Sequence, residues 1–501
     1  MRMDIRKWTP RGIGLILGPA LFVFAVLIPE PPAMVDAARS VGAPDWAPQV
    51  AGGALLWVLV WWVTEAVPMG LAALVVPLVF GVAGIVTWKS ALSSFTDPII
   101  WIFLAGFVLA ASFRKWDLDR RISVLLGSVY GGKNPRIAAL FVCCLPVFFL
   151  TLTGSITAST TVVFPLLIAY LAMVGARPGS RFAEGSMLAL AQAATAGAML
   201  LLISTPPNLV AKATVSKFAL GANLTFVDWL IVGTPQAIFG LFISWIVTFA
   251  VIRPEMKHLN LDRTKLETTR KSLGRLSRGE KTVLGLLFLA LSLWLLPSFV
   301  MIAADAFPNL RPASAFLAQA MPEAMPGVLV ILLAGLVHVK GEPVLRWKEI
   351  VDGVDWNVVF LFGGGIALGL GIEASGLAHW IGDGAQVILG SSPSAWMIFT
   401  VSALLAFTLT YAASNTAAAL IACPIAATLA LGAGLNPIPP IIAAALASSI
   451  SSAIPSTTPP MAIVYGSGSV KIWDMFKVGI LSDFLRLGVL IATGPFLTSL
   501  I

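Results

Sequence analysis

Apolar stretches long enough to cross a bilayer recur along this chain, and they constrain its fold more than any other feature. They fall near residues 12–28, 50–68, 71–87, 98–113, 137–174, 185–212, 227–252, 281–303, 325–340, 356–373, 395–434, 438–465 and 477–500. A helix rises about 1.5 Å per residue, so about 20 apolar residues span the ~30 Å hydrocarbon layer. Only 11% of the residues are charged, against about 25% in a soluble domain, too few polar side chains to cover a water-facing surface. In lipid the backbone must bond to itself, and segments of this length do so as helices. The expected fold is therefore an all-α polytopic membrane protein, with about 11 transmembrane helices and two re-entrant helical hairpins.

The hairpins follow from the two longest runs, 137–174 and 395–434, each of which carries a Ser/Thr-rich knot in its middle. A simple span does not place its polar residues there. A segment that enters the membrane and turns back does, because its tip needs small polar side chains. The chain also holds 44 glycines and 33 prolines, which membrane helices accept where broken backbone lines a protein-walled cavity.

The knots are related to each other. LTLTGSITASTTVVFP (150–165) and FTLTYAASNTAAALIACP (407–424) superpose at a shift of 259, pairing Thr151 with Thr410, Ser155 with Ser414, Thr157 with Thr416 and Pro165 with Pro424. Each is followed by a second motif, STPPNL (204–209) and TTPPMA (457–462), at a shift of 253. Two motifs in the same order at nearly the same spacing identify an internal duplication.

Charge sets the orientation. Nine basic and four acidic residues lie between Arg253 and Lys281, which places that connector in the cytoplasm. Arg2, Arg6, Lys7 and Arg11 place the N-terminus there too, with 12–28 as a retained span. The first knot follows a basic connector (Arg114, Lys115, Arg120, Arg121, Lys133, Arg136) and enters from inside; the second follows the weakly charged 373–394 and enters from outside. Opposite entry makes the repeats inverted, an arrangement that brings broken helices to the midplane of transporters. The expected organisation is an N-terminal segment with the first helix (1–48), a first repeat (49–252, hairpin 137–160), a basic linker (253–281) and a second repeat (282–501, hairpin 395–418). The clustered basic charge is a topogenic signal, and no nucleic-acid partner is expected.

Hydroxyls, amides and freed carbonyls at a hairpin tip are the hard oxygen ligands that sodium takes, and the N–H groups opening the next half-helix favour an anion. The facing breaks, Thr205-Pro206-Pro207-Asn208 and Thr458-Pro459-Pro460, free further carbonyls because proline removes an intrahelical donor. Cys143, Cys144 and Cys423 sit in apolar runs, and His258, His338 and His379 share no metal-ligand spacing. Asp483 and Arg486, three apart, can pair on one helix face or serve proton coupling, and Glu65 sits before Pro68 at a span end. No HExxH, Ser/His or paired-Asp constellation accompanies them, so an enzyme is not expected.

The Ser414-Asn415-Thr416 tip with Pro424 ten residues after its serine, TPPN, TPPMAIVYGSG (458–468), TEAVP around Glu65 and FLAGFVLAASFRKWDLDRR (103–121) together resemble the divalent anion/sodium symporter family over about residues 50–490. The resemblance implies a homodimeric elevator-type transporter in the cell membrane. It implies substrate carboxylates held between the tips by Ser155, Thr157, Ser414, Asn415 and Thr416, with Thr205, Thr458 and Pro459 from the breaks. It implies one sodium framed by Thr151, Ser155 and Ser204 and another by Thr410, Ala413, Asn415 and Thr457, the cofactor requirement being sodium alone. The first tip departs from the pattern, since Ile156 stands where the family has asparagine; Met461 likewise follows the second Pro-Pro pair in place of asparagine. A weaker first cation site and a pocket reshaped for another anion are both open. The expected substrate is a C4-dicarboxylate such as succinate, malate or fumarate, moved with sodium. An exchanger, a proton-coupled carrier, a sulfate or citrate carrier and a passive anion channel are the alternatives.

Overall fold

The computed structural model describes residues 10–219, 222–259, 271, 273–322, 324–389 and 393–501. The central part of the basic linker, including Arg263, Lys265 and Arg270, lies outside the described residues. Among the described residues ten helices are long and apolar enough to cross a membrane. The chain is an all-α polytopic membrane protein, with one two-residue ribbon among the described residues, His338–Val339 against Glu342–Pro343. The count falls one short of the expected eleven because several apolar runs are not single helices. Residues 185–212 and 438–465 are each split, and 71–87 is interrupted at Leu74 between Met69–Ala73 and Val75–Ala83.

The duplication is visible as a repeated order of elements. The first half runs Trp88–Ser93, Pro98–Lys115, Leu118–Val129, a hairpin, Arg181–Gly197, Pro206–Phe218 and Phe226–Val251. The second runs Trp347–Gly353, Trp356–Ala374, Leu377–Leu389, a hairpin, Ile438–Ser448, Pro459–Gly466 and Ile472–Thr498. Local chemistry repeats with it. Asp97 caps its helix by accepting from the Ile99 N–H, and Asp355 does the same for Asn357 and Val358. The departure lies in the first hairpin, where Leu140–Cys144 forms a π-turn immediately before Pro146, which has no N–H to continue the ladder.

The two closing helices show the sense of the repeat. Gln236 donates to Thr493 at 2.7 Å, and Gly240 lies against Arg486, whose Nε would stand 3.1 Å from a Cβ placed there. At the far end Arg181 bridges the Val251 carbonyl (3.5 Å) and the Asp474 carboxylate (2.7 Å). Contacts that step down one helix and up the other make Phe226–Val251 and Ile472–Thr498 antiparallel, so equivalent elements of the two halves run in opposite directions. The linker and the base of the first hairpin share one face: Arg121 donates to the Leu273, Gly274 and Arg275 carbonyls and pairs with Glu280, and Leu259 N–H donates to the Lys133 carbonyl.

The inner segments of the split helices form the centre. Every residue from Phe182 to Gly197 is buried. That segment is rich in alanine and glycine, which lets helices approach closely where apolar lipid supplies little drive for association.

Candidate functional site

Each hairpin turns over a break between two helical arms. The first arm of the first hairpin ends in a 3₁₀ turn at Thr151–Thr153; Gly154 then takes φ +90°, and Ile156–Met173 begins. Only glycine enters that left-handed region without strain, and a Cβ there would also lie 3.3 Å from the Ile203 carbonyl of the facing break. In the second hairpin Ala395–Ala412 stops, Ala413 is extended, and Asn415–Gly432 begins. Ser155 and Ser414 are N-caps, accepting from the Ala158 and Ala417 N–H groups at 3.1 and 3.2 Å. Their hydroxyl oxygens are thus committed to opening the second arms, and Ser414 additionally faces the Met69 sulfur at 3.3 Å.

The facing breaks are wider than a proline kink. Residues 198–205 and 449–458 form turns and bends rather than continuous helix, Thr205 and Thr458 are extended, and the prolines occupy the first turn of the outer segments. A proline at that position gives up an N–H that has no intrahelical acceptor anyway. The outer segments cross between the halves. Pro206–Phe218 packs on the second arm Asn415–Gly432, and Pro459–Gly466 packs on the second arm Ile156–Met173. Both tips and both breaks therefore belong to one buried assembly.

At the second tip four oxygens converge. The Thr410 hydroxyl lies 2.8 Å from Asn415 Oδ1, 2.6 Å from the Ser448 carbonyl and 3.3 Å from Ser451 Oγ; Ser451 Oγ is 3.1 Å from Asn415 Oδ1. Thr410, Ser448 and Ser451 are fully buried and Asn415 nearly so. Two hydroxyl protons serve this group of four oxygens, and the Thr410 proton has two acceptors at once. Such an excess of neutral acceptors, with no carboxylate among them, fits a singly charged hard cation. The side-chain oxygen of Asn415 faces the cluster, which turns its amide N–H groups away, beside the start of its helix; this assignment follows from the hydrogen-bond network. Ala413, Thr416 and Thr457 stand at the tip and break, and the Thr457 hydroxyl is turned back onto the Ile454 carbonyl at 2.8 Å. The buried hydroxyls of Thr458 and Ser449 have no hydrogen-bond partner among the described residues.

The first tip is poorer. The Thr151 hydroxyl lies 2.7 Å from the Phe148 carbonyl and 2.8 Å from the Gly197 carbonyl, the counterpart of Ser448. Ile156 occupies the place of Asn415. Ser204 is buried with its hydroxyl accepting from the Leu201 N–H, while Thr157 is exposed in the first turn of its helix. Thr205 is buried at the head of its segment, and Pro459 opens the opposite one.

Sequence reasoning passed over Ser448 and Ser451, although SSISS (448–452) is a polar run inside an apolar stretch, the same signal that exposed the knots. It also left the surroundings of Asp483 unread. That carboxylate accepts from the Ser452 N–H (2.6 Å), the Ser452 hydroxyl (2.8 Å) and the Tyr411 hydroxyl (2.7 Å), the chain neighbours of Ser451 and Thr410. Arg486 stands 3.7 Å away and donates to the Thr195 hydroxyl and carbonyl at 3.0 and 3.3 Å. The pair is structural in the plain sense that it ties both broken helices to the last helix. Glu65 is exposed, pairing with Arg11 at 3.3 Å where its helix ends.

Duplicated hairpins over broken helices, in antiparallel halves buried among membrane-spanning helices, define a secondary transporter rather than an enzyme. The chain belongs to the family described as the sodium:sulfate symporter transmembrane region, which it matches over residues 14–500. It is 30% identical over 494 residues to the sodium-dependent dicarboxylate transporter SdcS of Staphylococcus saprophyticus, covering 97% of this chain and 91% of that protein. The SdcS of Staphylococcus aureus strain USA300 is 29% identical over 476 residues, covering 93% and 87%. The structure of Neisseria gonorrhoeae MtrF, from a class described as antimetabolite efflux pumps, shares the fold at a TM-score of 0.56 and 14% identity, covering 98% of this chain and 95% of that one.

Proposed function

We propose that this protein imports C4-dicarboxylates such as succinate, malate and fumarate, coupled to sodium. The oxygen cluster of Thr410, Asn415, Ser448 and Ser451 carries the reading, because a neutral buried cage of that kind suits Na⁺. The names of the SdcS relatives point to the same cation and the same substrate class.

The chemistry is electrostatic. A sodium ion at the cage holds the Asn415 oxygen and turns its N–H₂ toward the space beside the tip. The backbone N–H groups that open Asn415–Gly432 and Ile156–Met173 carry the positive ends of their helix dipoles, and a carboxylate is stabilised there. Cation and anion then raise each other's affinity, a reciprocal coupling of about 1–3 kcal/mol in typical cases. Thr157 and Thr416 supply hydroxyls at the two tips, and the unpaired Thr458 hydroxyl supplies another.

The same reading makes residues 49–252 and 282–501 the two inverted repeats. The hairpins and split helices move together as the transport unit of a homodimer in the plasma membrane, with the N-terminus inside. The test is uptake of labelled succinate into proteoliposomes under an inward sodium gradient, with potassium replacing sodium as the control. Sodium-dependent accumulation is expected. Uptake that needs internal dicarboxylate and ignores sodium would replace symport by exchange, and uptake of sulfate but not succinate would overturn the substrate class.

A further inference from the structure

The two tips descend from one duplicated unit, so each position of the rich tip has a counterpart at the poor one. Asn415, whose oxygen takes two contacts in the cage, corresponds to Ile156. Ser451 also has no polar counterpart. Aligning the halves on the carbonyls that meet Thr151 and Thr410 puts Leu200 in its place, and aligning them on the Thr-Pro-Pro motifs puts Ala198 there. What remains at the first tip is the Thr151 hydroxyl, whose proton is met by two backbone carbonyls, and the Ser155 and Ser204 hydroxyls, each already accepting a backbone N–H, beside an aliphatic side chain. A cation entering there would lose its water against fewer oxygens than the second tip offers, with the amide of Asn415 and the hydroxyl of Ser451 both missing.

A second observation points the same way. Aligned on their first residues, the closing helices Phe226–Val251 and Ile472–Thr498 place Ala237 opposite Asp483 and Gly240 opposite Arg486. The buried pair thus belongs to one half only, and it is polarised across the molecule. Its carboxylate binds Ser452 and Tyr411, the neighbours of the two hydroxyls in the second cage. Its guanidinium crosses over Gly240 to Thr195, two residues before the Gly197 carbonyl that meets Thr151. The negative end thus lies on the side of the second tip, and the positive end on the side of the first.

We infer that the coupling sites are unequal: the second tip holds a sodium ion, the first holds none, and this chain moves one sodium ion per substrate. The inference rests on the sodium-coupled reading above and adds two assignments to it. Ser451 and the Ser448 carbonyl are cation ligands, and Asp483 is a positioning residue that fixes Thr410 and Ser451 through their neighbours.

Equilibrium binding of ²²Na⁺ to the purified full-length protein in nanodiscs tests this separately from transport. One sodium per chain is expected, with half-saturation raised more than tenfold in Ser451→Ala and saturable binding absent in Asn415→Ala. Ile156→Asn, which installs the missing amide at the first tip, is expected to add a second binding event. Two sodium ions per wild-type chain, or one ion retained at unchanged affinity in both Asn415→Ala and Ser451→Ala, would overturn the inference. No sodium binding at all would overturn the sodium-coupled reading with it. In proteoliposomes the ratio of ²²Na⁺ to labelled succinate entering is expected to be one, with a Hill coefficient for sodium near one. A ratio of two or more would refute the asymmetry while leaving symport intact.

Discussion

Replacing Asp483 by asparagine removes one charge from a fully buried site while nearly preserving its shape. The carboxylate accepts three hydrogen bonds at 2.6–2.8 Å, from the Ser452 N–H, the Ser452 hydroxyl and the Tyr411 hydroxyl. An asparagine oxygen can keep the Ser452 N–H and the Tyr411 hydroxyl, and the Ser452 hydroxyl can rotate to accept from the new amide. Polar satisfaction therefore largely survives, and the change isolates the charge. What is lost is the partner of Arg486, which stays fully buried with only the Thr195 oxygens. Breaking a buried pair by removing one member costs about 3–5 kcal/mol, because the remaining charge is uncompensated. Arg486→Met leaves a carboxylate that still holds three donors, so it costs less, and Asp483→Asn with Arg486→Met recovers most of the loss. A double-mutant cycle read by equilibrium unfolding in mixed micelles should give a coupling of at least about 2 kcal/mol. Sodium half-saturation in Asp483→Asn should rise about tenfold, the effect expected for an outer partner of ligating groups. A single mutant within about 1 kcal/mol of wild type, or strict additivity, would refute the reasoning.

Three further outcomes can be checked directly. Gly197→Ala places a Cβ 2.7 Å from Thr151 Oγ1 and 2.9 Å from the Phe148 carbonyl; overpacking of this kind costs about 1–3 kcal/mol, and thermal unfolding should shift down together with a fall in uptake. Arg121→Ala removes the ion pair with Glu280 and the bonds to the Leu273, Gly274 and Arg275 carbonyls, so limited proteolysis at 273–275 should accelerate at least tenfold. If one sodium accompanies a dianion, each cycle carries one net negative charge inward, opposed by about 2.3 kcal/mol per 100 mV of inside-negative potential. Steady-state accumulation should then fall by about 50-fold between zero and −100 mV set by potassium and valinomycin, whereas an unchanged or raised level would exclude that net charge.

The membrane class, the duplication and the placement of both tips were legible in the sequence because each leaves a one-dimensional trace. Apolar length marks spans, and a Ser/Thr knot inside such a length marks a turn that lipid alone would not tolerate. The width of the breaks was not legible. Thr-Pro-Pro reads as a kink, yet continuous helix gives way to turns and bends over 198–205 and 449–458, and the prolines start the next segment. Their missing N–H groups cost nothing at that position, so the motif marks the end of a break rather than its centre. Ser451 was missed for a related reason. Its partners Thr410 and Asn415 lie more than 30 residues earlier, and only the packed fold brings the SSISS run onto them. Asp483 and Arg486 read correctly as a pair, but the separate partners of each charge, in opposite halves, arise from the antiparallel closing helices. Three-apart spacing on one helix carries no information about that.

On the proposed sodium-coupled reading, the orientation of one amide decides how cation and substrate are linked, and a substitution can separate its two ends. In Asn415 the oxygen faces Thr410 and Ser451, at 2.8 and 3.1 Å, so the N–H₂ is left for the anion side. Asn415→Asp keeps an oxygen toward the cage and adds charge, which strengthens attraction for a cation. It also replaces the donor facing the substrate with a second carboxylate oxygen, which repels a dianion; a like charge at 4 Å is worth about 4 kcal/mol at an effective dielectric of 20. Sodium binding should therefore persist or tighten while succinate binding weakens by at least 100-fold. Asn415→Ala, by contrast, should lose both. Succinate transport retained by the Asn415→Asp protein would mean that the amide nitrogen does not face the substrate, and the coupling would then have to run through the backbone N–H groups alone. Ile156 makes the contrast internal to the molecule: the first tip retains its helix N-terminus but has no amide to turn, so it can attract an anion without reporting on a cation. On the sodium-coupled reading proposed above, the link between ion and substrate then passes through a single side chain at the second tip.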